Sequence, residues 1–203
     1  LPSDFMNITD DNYFIGYGAG FSITTGLYNS FMGYQAGYNI DEGDNNIFLG
    51  YKAGYLATED QNNIFIGNNA GYNNTGVGWE GDDNVFIGNN AGSSNTTGHD
   101  NVYIGNLAGS ANLGTYSVMI GSDAGAYSTG GFNTFLGLSA GRTSDGSHNV
   151  YLGMGAGSKN DNGSGNTYIG GRAGYWDITG TQNTLIGYYT AHLNSGQSLG
   201  NRN

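Results

Sequence analysis

Short hydrophobic triplets framed by asparagine and glycine recur at regular intervals along the chain. The nine-residue phrase that contains them is cleanest at 63–71, where it reads NIFIGNNAG. Eleven copies occupy residues 12–191, starting 16 or 17 residues apart except for one interval of 21. Self-similarity at so short a period is typical of a solenoid, in which each repeat forms one coil. The copies begin at Asn12, Asn29, Asn46, Asn63, Asn84, Asn101, Ser117, Asn133, Asn149, Asn166 and Asn183.

The copy that begins at Asn46 illustrates the structure predicted for one coil. Ile47, Phe48 and Leu49 are bounded by Asn and Gly, which predicts a short strand, and the recurring glycines exclude a helix. The glycine after the triplet suits a corner that needs positive φ or close backbone approach. Ala53 keeps its identity from copy to copy while the residue before it varies among polar types, which predicts a second strand with the alanine inward.

These elements predict an all-β fold, a parallel β-solenoid or β-roll of eleven coils of 16–17 residues. At about 4.8 Å per coil, the expected rod is roughly 50 Å long. Because asparagine opens ten of the eleven copies, we also expect a ladder of amides bonded from coil to coil. The predicted boundaries are an N-terminal lead-in at 1–11, the solenoid at 12–191 with one longer inter-repeat loop at 72–83, and a C-terminal cap or start of a next segment at 192–203.

The triplet is apolar on both faces, and this predicts association between chains. A narrow coil has one interior, so either the aliphatic or the aromatic face stays on its surface as a continuous apolar stripe. We expect the aliphatic face inside each roll and the aromatic face between chains, although the residues themselves leave the opposite assignment open. The expected solenoid core is Ile47, Leu49, Ile64, Ile66, Val85, Ile87, Val102, Ile104, Val118 and Ile120. The expected interface between chains is Phe14, Phe31, Phe48, Phe65, Phe86, Tyr103, Met119, Phe135, Tyr151 and Tyr168.

Composition narrows the range of partners. Five Lys plus Arg stand against sixteen Asp plus Glu, for a net charge of −11. Such a charge repels phosphate backbones and anionic membrane surfaces, so we expect no nucleic acid partner. No apolar run approaches the roughly 20 residues that span a bilayer, and direct membrane insertion is not expected. The chain has no cysteine, which excludes a disulfide framework and thiolate metal sites.

Candidate chemistry is sparse in this sequence. His99, His148 and His192 fall in different turns without a regular relation to any Asp or Ser, so we expect no catalytic residues and no enzyme. Acidic turns at 41–44 and 80–83 could bind calcium, which takes several oxygen ligands. They lack the strict glycine and aspartate order of calcium-binding β-rolls, so solvated turns and no cofactor are expected.

Aromatic residues outside the triplets are the candidate ligand contacts. One row consists of Tyr17, Tyr34 and Tyr51, and a second of Phe21, Tyr38, Tyr55 and Tyr72. Such rows could stack on sugar rings, dock another protein, or cover the end of the core. Trp79, in the longer loop, is a further candidate, either for a ligand or for local packing.

The phrase resembles the Asn-x-Val-x-Ile-Gly repeat of YadA-like head domains of trimeric autotransporter adhesins. It looks still more like the Asn-x-Phe-Ile-Gly-x-x-Ala-Gly repeats of glycine-rich tail-fibre and endosialidase-chaperone-type surface proteins. The resemblance covers residues 12–191. It implies a left-handed roll and a homotrimer whose apolar strands face the threefold axis, at a cell or virion surface, where it binds a host glycan or protein.

The main functional hypothesis is therefore a non-enzymatic structural or adhesive segment of an extracellular fibre. An alternative is a filament subunit that stacks end to end, because solenoid ends present unpaired strands unless capped. A second alternative is ice binding through Thr134, Thr167 and Thr184, which Val or Ser positions interrupt.

Overall fold

The computed structural model describes residues 6–8, 11–76 and 78–191, and these residues contain strands and turns but no helix. The chain divides into two compact units, residues 1–101 and 102–203. The first contains β1 (Met6–Ile8), β2 (Tyr13–Ile15), β3 (Ser30–Met32), β4 (Ile47–Leu49), β5 (Ile64–Ile66) and β6 (Val85–Ile87). The second contains β7 (Val102–Ile104), β8 (Val118–Ile120), β9 (Thr134–Leu136), β10 (Val150–Leu152), β11 (Thr167–Ile169) and β12 (Thr184–Ile186). Each unit is a parallel β-solenoid, so the predicted fold class is confirmed.

The strands pair in register with the repeat. In the first unit β2 to β6 pair in parallel, and Phe48 lies beside Phe31 on one side and Phe65 on the other. In the second unit β7 to β12 pair in the same way, with Tyr151 between Phe135 and Tyr168. Equivalent residues of successive copies therefore form straight rows. β2 to β12 are the triplets of the eleven predicted copies.

The prediction of a second strand in each coil is wrong. The segment after the triplet consists of consecutive turns, and its residues are in the left-handed region at alternate positions. Lys52 has φ 51° and Gly54 has φ 60°, on either side of Ala53. A strand cannot contain left-handed residues at such spacing, because each one reverses the direction of the chain. The inward alanine is confirmed, since Ala53 and its counterparts from Ala36 to Ala173 are fully buried, while Ala19 in the first copy is half-buried.

The predicted asparagine ladder is present, and it joins side chains to backbone. The side chain of Asn29 accepts a hydrogen bond from the Asn46 main-chain N–H at 2.9 Å, and its Nδ2 donates to the Gly43 carbonyl at 2.7 Å. In the second unit Asn149 accepts from the Asn166 N–H and donates to the Gly163 carbonyl, both at 2.9 Å. Asn29 and Asn149 thus each bond two buried backbone groups of the following coil, whereas Asn63 bonds, among the described residues, only the Asn84 N–H, at 2.9 Å, through its Oδ1.

The assignment of the two strand faces is the reverse of the one expected. The central residue of each triplet points into its own coil, and the flanking residues point outward: Phe48 is 0% exposed, Ile47 44% and Leu49 41%. The residues expected between chains are buried in this single chain: Phe14, Phe31, Phe48, Phe65, Phe86, Tyr103, Met119, Phe135, Tyr151 and Tyr168. Those expected in the core are exposed or half-buried: Ile47, Leu49, Ile64, Ile66, Val85, Ile87, Val102, Ile104, Val118 and Ile120.

Glycine explains why the large residue lies inside. In the ten phrases that end in glycine, this glycine packs under the large central side chain of its own coil, and a Cβ added to Gly54 would lie 2.4 Å from a ring carbon of Phe48. The ring therefore fills the space that a side chain on the turn would otherwise occupy. The predicted corner glycine is also confirmed: Gly50 has φ 141°, and its Cβ would lie 2.3 Å from the Gly67 carbonyl oxygen of the next coil.

The N-terminal lead-in supplies one strand of opposite direction. β1 pairs antiparallel with β2, with Asn7 opposite Phe14. It covers the sheet edge that a preceding parallel coil would otherwise meet. The expected C-terminal segment at 192–203 lies outside the described residues.

Candidate functional site

The outward strand positions form an apolar surface in each unit, which we call the aliphatic face. In the first unit it consists of the first and third residues of β2 to β6, and in the second of those of β7 to β12. The third position is Ile or Leu in ten strands and Met in β3, the first position is Ile or Val in six strands and Tyr, Ser or Thr in the other five, and no charged residue stands at either position. Solvated strand faces usually carry polar residues. A chain of net charge −11 that keeps charge off two complete rows has a surface suited to contact with protein.

The first predicted aromatic row is a ladder of parallel rings. The ring centroids of Tyr17 and Tyr34 are 5.5 Å apart, and those of Tyr34 and Tyr51 are 5.4 Å apart. Each of these tyrosines is almost half exposed. Because the rings stack on one another along the row, Tyr34 has neighbours on both faces and presents only its edge and hydroxyl to solvent.

The second predicted row is a longer ladder beside the first. Ring centroids are 4.9 Å apart for Phe21 and Tyr38, 5.4 Å for Tyr38 and Tyr55, and 5.2 Å for Tyr55 and Tyr72. The Lys52 ammonium lies 4.7 Å from the Tyr55 centroid and 5.5 Å from that of Tyr51, which links the two rows by cation–π contacts.

Two cavities adjoin these ladders at opposite ends. One of about 610 Å³ is bordered by Tyr17, Phe21 and Tyr38, with Met6 of β1 beside them. The other, of about 190 Å³, opens at Tyr72, where the second ladder ends. The sequence predicted the rows but not these cavities, since only the stacking geometry shows which ring faces stay uncovered.

Trp79 lies apart from the tyrosine ladders and packs locally. Its side chain is 69% exposed, and its ring meets that of His99 edge to face, with centroids 4.8 Å apart. Nδ1 of His99 lies 2.8 Å from a carboxylate oxygen of Asp100. In the second unit His148 stacks on Phe132 at 4.9 Å. His192 lies outside the described residues.

Two buried carboxyl groups adjoin the longer loop. Burial, together with the neighbouring Asp82 carboxylate, raises the pKa of Asp60 to about 8. Oδ1 of Asp60 is buried and has no hydrogen-bond partner in the described part of the chain. Burial also raises the pKa of Asp82, whose Oδ1 accepts the Gln61 N–H at 2.7 Å. Across the described residues no three acidic or histidine side chains are grouped to hold a metal ion, so the acidic turns gain no support as calcium sites.

Two of the three fully buried tyrosines in the described part of the second unit have a hydrogen-bond partner for the hydroxyl, whereas that of Tyr151 has none among the described residues. Tyr103 donates to Asn112 Oδ1 at 2.8 Å, and Tyr168 donates to Asp177. Burial raises the pKa of both hydroxyls above the ordinary tyrosine value. Both groups therefore stay protonated and serve as hydrogen-bond donors inside the coil.

Comparison with known proteins returns no family model, no curated protein and no solved structure that matches this chain. Among the described residues, no helix has the length and apolar character to cross a bilayer.

Proposed function

We propose that this chain is a non-enzymatic segment of an extracellular fibre, an adhesin head or a tail-fibre shaft, that assembles as a homotrimer and binds a host surface. The observation that carries the proposal is the aliphatic face. This face lies outside the coil and carries no charged residue. The rings inside the coil are buried without any contribution from it.

Self-association is the solution that best shelters this face. Parallel register places Ile47, Ile64 and Val85 side by side in one row, and Leu49 and Ile66 in the next. Burying an aliphatic side chain of this size stabilises a complex by about 1.5–3 kcal/mol. Identical straight rows on each copy suit a closed cyclic arrangement around a common axis. The resemblance to trimeric adhesin heads and tail-fibre repeats supports three copies.

A fibre role also agrees with where the remaining residues lie. Exposed aromatic edges and polar turns lie outside the strand triplets, which leaves them available to a host glycan or protein. Assembly would present several copies of each surface together and raise the apparent affinity for a multivalent target. The net charge of −11 favours neutral or basic targets over nucleic acid.

The filament alternative is less well supported. End-to-end stacking requires an open parallel edge, but β1 pairs antiparallel with β2 and occupies the edge of the first unit. Ice binding gains little either, because Val150 separates Thr134 from Thr167 and interrupts the row of hydroxyls.

Analytical ultracentrifugation tests the assembly. We expect the wild-type chain to sediment at three times its mass of 21.2 kDa. Ile64→Lys places an ammonium on the aliphatic face, where burial without a partner costs several kcal/mol, and should shift the protein to monomer. Asn68→Lys adds the same charge at an exposed position after β5 and is the matched control. A stable wild-type monomer, or a trimer that Ile64→Lys leaves intact, would contradict the proposal.

A further inference from the structure

Within a ladder of stacked rings, the ring faces that can receive a ligand are those at its ends. Tyr38 and Tyr55 are covered on both faces by their neighbours, at centroid distances of 4.9–5.4 Å. They present edges, which cannot stack on a sugar ring. Tyr72 is different: Tyr55 covers one face, and the next coil has Ser93 at the equivalent position. The backbone confirms this register, since Leu56 N–H bonds to the Tyr72 carbonyl and Asn73 N–H to the Ser93 carbonyl.

The space that an aromatic ring would fill over Ser93 is a cavity of about 190 Å³. Its lining is Asn69, Tyr72, Asn73, Asn90, Ser93 and Ser94. The Tyr72 ring thus shares this cavity with three amide and two hydroxyl side chains, and the Lys52 ammonium, 5.9 Å from the Tyr72 centroid, is not part of the lining. The side chains of Asn73 and Ser94 make no hydrogen bond to another described residue. The amide of Asn69 reaches that of Asn90 only at 3.4 Å, which is a weak bond.

This combination of groups matches one class of ligand. A pyranose ring has an apolar C–H face that stacks on an aromatic ring and a rim of hydroxyls that pair with amides and hydroxyls. The cavity volume corresponds to about six water molecules at about 30 Å³ each, which is room for one sugar ring. Neutral lining and a net charge of −11 favour a neutral sugar over an acidic one.

We propose that Tyr72 and its polar rim bind a single neutral pyranose residue of a glycan. The inference deepens the proposed adhesive function and rests on it for its biological role, but the binding itself needs only the first unit of one chain. Asn73 and Ser94 supply the free hydrogen-bonding groups, and the Tyr72 ring supplies the stacking surface. One shallow contact of this kind gives a dissociation constant on the order of millimolar. Repetition of the site in an assembled fibre would compensate for that weakness.

Saturation-transfer NMR with the methyl glycosides of glucose, galactose, mannose and N-acetylglucosamine tests the site. We expect at least one of them to bind the whole chain and to contact it through its C–H face. Ser93→Tyr extends the ladder by one ring and covers the free face of Tyr72. It should lower affinity at least tenfold while keeping the fold, because the new ring has the same surroundings as Tyr55 or Tyr72.

Tyr34→Ala is the matched control, since it removes an exposed tyrosine whose two faces are both covered by neighbours, and it should leave affinity unchanged. Asn73→Ala should weaken binding several-fold without affecting the melting temperature. Glycoside binding that survives Ser93→Tyr overturns the proposal. If Tyr17→Ala then abolishes that binding, the ligand lies in the larger cavity and the proposal is equally overturned. Binding of N-acetylneuraminic acid alone overturns the assignment to a neutral sugar, and no binding to any glycoside overturns the site.

Sedimentation of the same samples separates this inference from the proposed assembly. A trimer that binds no glycoside refutes the sugar site and leaves the fibre assembly standing. A monomer that binds a glycoside at Tyr72 refutes the assembly and leaves the sugar site standing.

Discussion

Replacing one rung of the asparagine ladder tests whether the side-chain amides hold successive coils together. Asn149 is fully buried and joins its coil to the next through the Asn166 N–H and the Gly163 carbonyl, both at 2.9 Å. Asn149→Ala would leave both backbone groups without a partner and without water. Each unpaired buried group costs about 1–3 kcal/mol, so we expect a loss of about 3 kcal/mol in the free energy of unfolding.

One copy of the repeat has a residue at the ladder position that is intermediate between asparagine and alanine in its hydrogen bonding. Ser117 replaces asparagine in one copy, and its Oγ accepts the Asn133 N–H at 3.2 Å. The Ser117 hydroxyl also donates to the Thr115 carbonyl of its own coil at 3.2 Å, but a serine is too short to reach the carbonyl of the next coil that an asparagine bonds. Asn149→Ser should therefore lose about half as much stability as Asn149→Ala. Ser117→Asn should change stability by less than about 1 kcal/mol, because the Gly130 carbonyl that an asparagine there would reach already accepts from Nδ2 of Asn133 at 3.0 Å and of Asn112 at 3.3 Å.

Thermal unfolding at fixed protein concentration measures these differences. For a chain of this size, about 3 kcal/mol corresponds to a decrease of roughly 6–12 °C in melting temperature for Asn149→Ala. Hydrogen exchange at the Asn166 amide reports the same rung directly and should become faster. Asn162→Ala, at an exposed turn position, should change stability by less than about 0.5 kcal/mol. The reasoning fails if Asn149→Ala costs no more than this control, or if Asn149→Ser is no better than Asn149→Ala.

Two further substitutions test the interior of the first unit. Gly54→Ala places a Cβ within 2.4 Å of the Phe48 ring at φ 60° and should lower the free energy of unfolding by about 3 kcal/mol. Gly78→Ala, at φ 75° with no atom within 4 Å of the added Cβ, should lower it by about 1 kcal/mol. Equal melting temperatures of the two variants would contradict the packing argument. Because the folded-state pKa of Asp60 is raised to about 8, the stability that protonated Asp60 contributes is complete below about pH 4 and is lost as the pH rises to 8. Asp60→Asn should therefore be nearly neutral at pH 4 and stabilise by about 2–4 kcal/mol at pH 8, and a stabilisation that does not grow with pH in urea titrations would count against a buried, neutral carboxyl group.

Most of the fold could be predicted from the sequence repeat. Spacing identified all eleven parallel strands, and the constancy of Asn and Ala predicted the amide ladder and the inward alanine. The prediction of a second strand was wrong because side-chain alternation does not report the backbone angle φ. Lys52 and Gly54 both have a left-handed backbone conformation, which the identity of a lysine does not indicate. The free face of Tyr72 was also beyond sequence reasoning, since it depends on rings stacking in register and on Ser93 failing to continue the ladder.

The sequence does contain a signal that shows which strand face points into the coil. The residue types at the third and ninth positions of the nine-residue phrase vary together. Where the third residue is Phe, Tyr or Met, the ninth is glycine. In the last copy the third residue is Leu185, and Ala191 stands at the ninth position. A long side chain needs the glycine beneath it, as the contact of Met119 with Gly125 shows, whereas a shorter leucine leaves room for a methyl group. The outward positions show no such dependence on the turn. The interior of a coil is therefore filled by one large side chain and the glycine beneath it, and the aliphatic rows lie on the outer face of the chain.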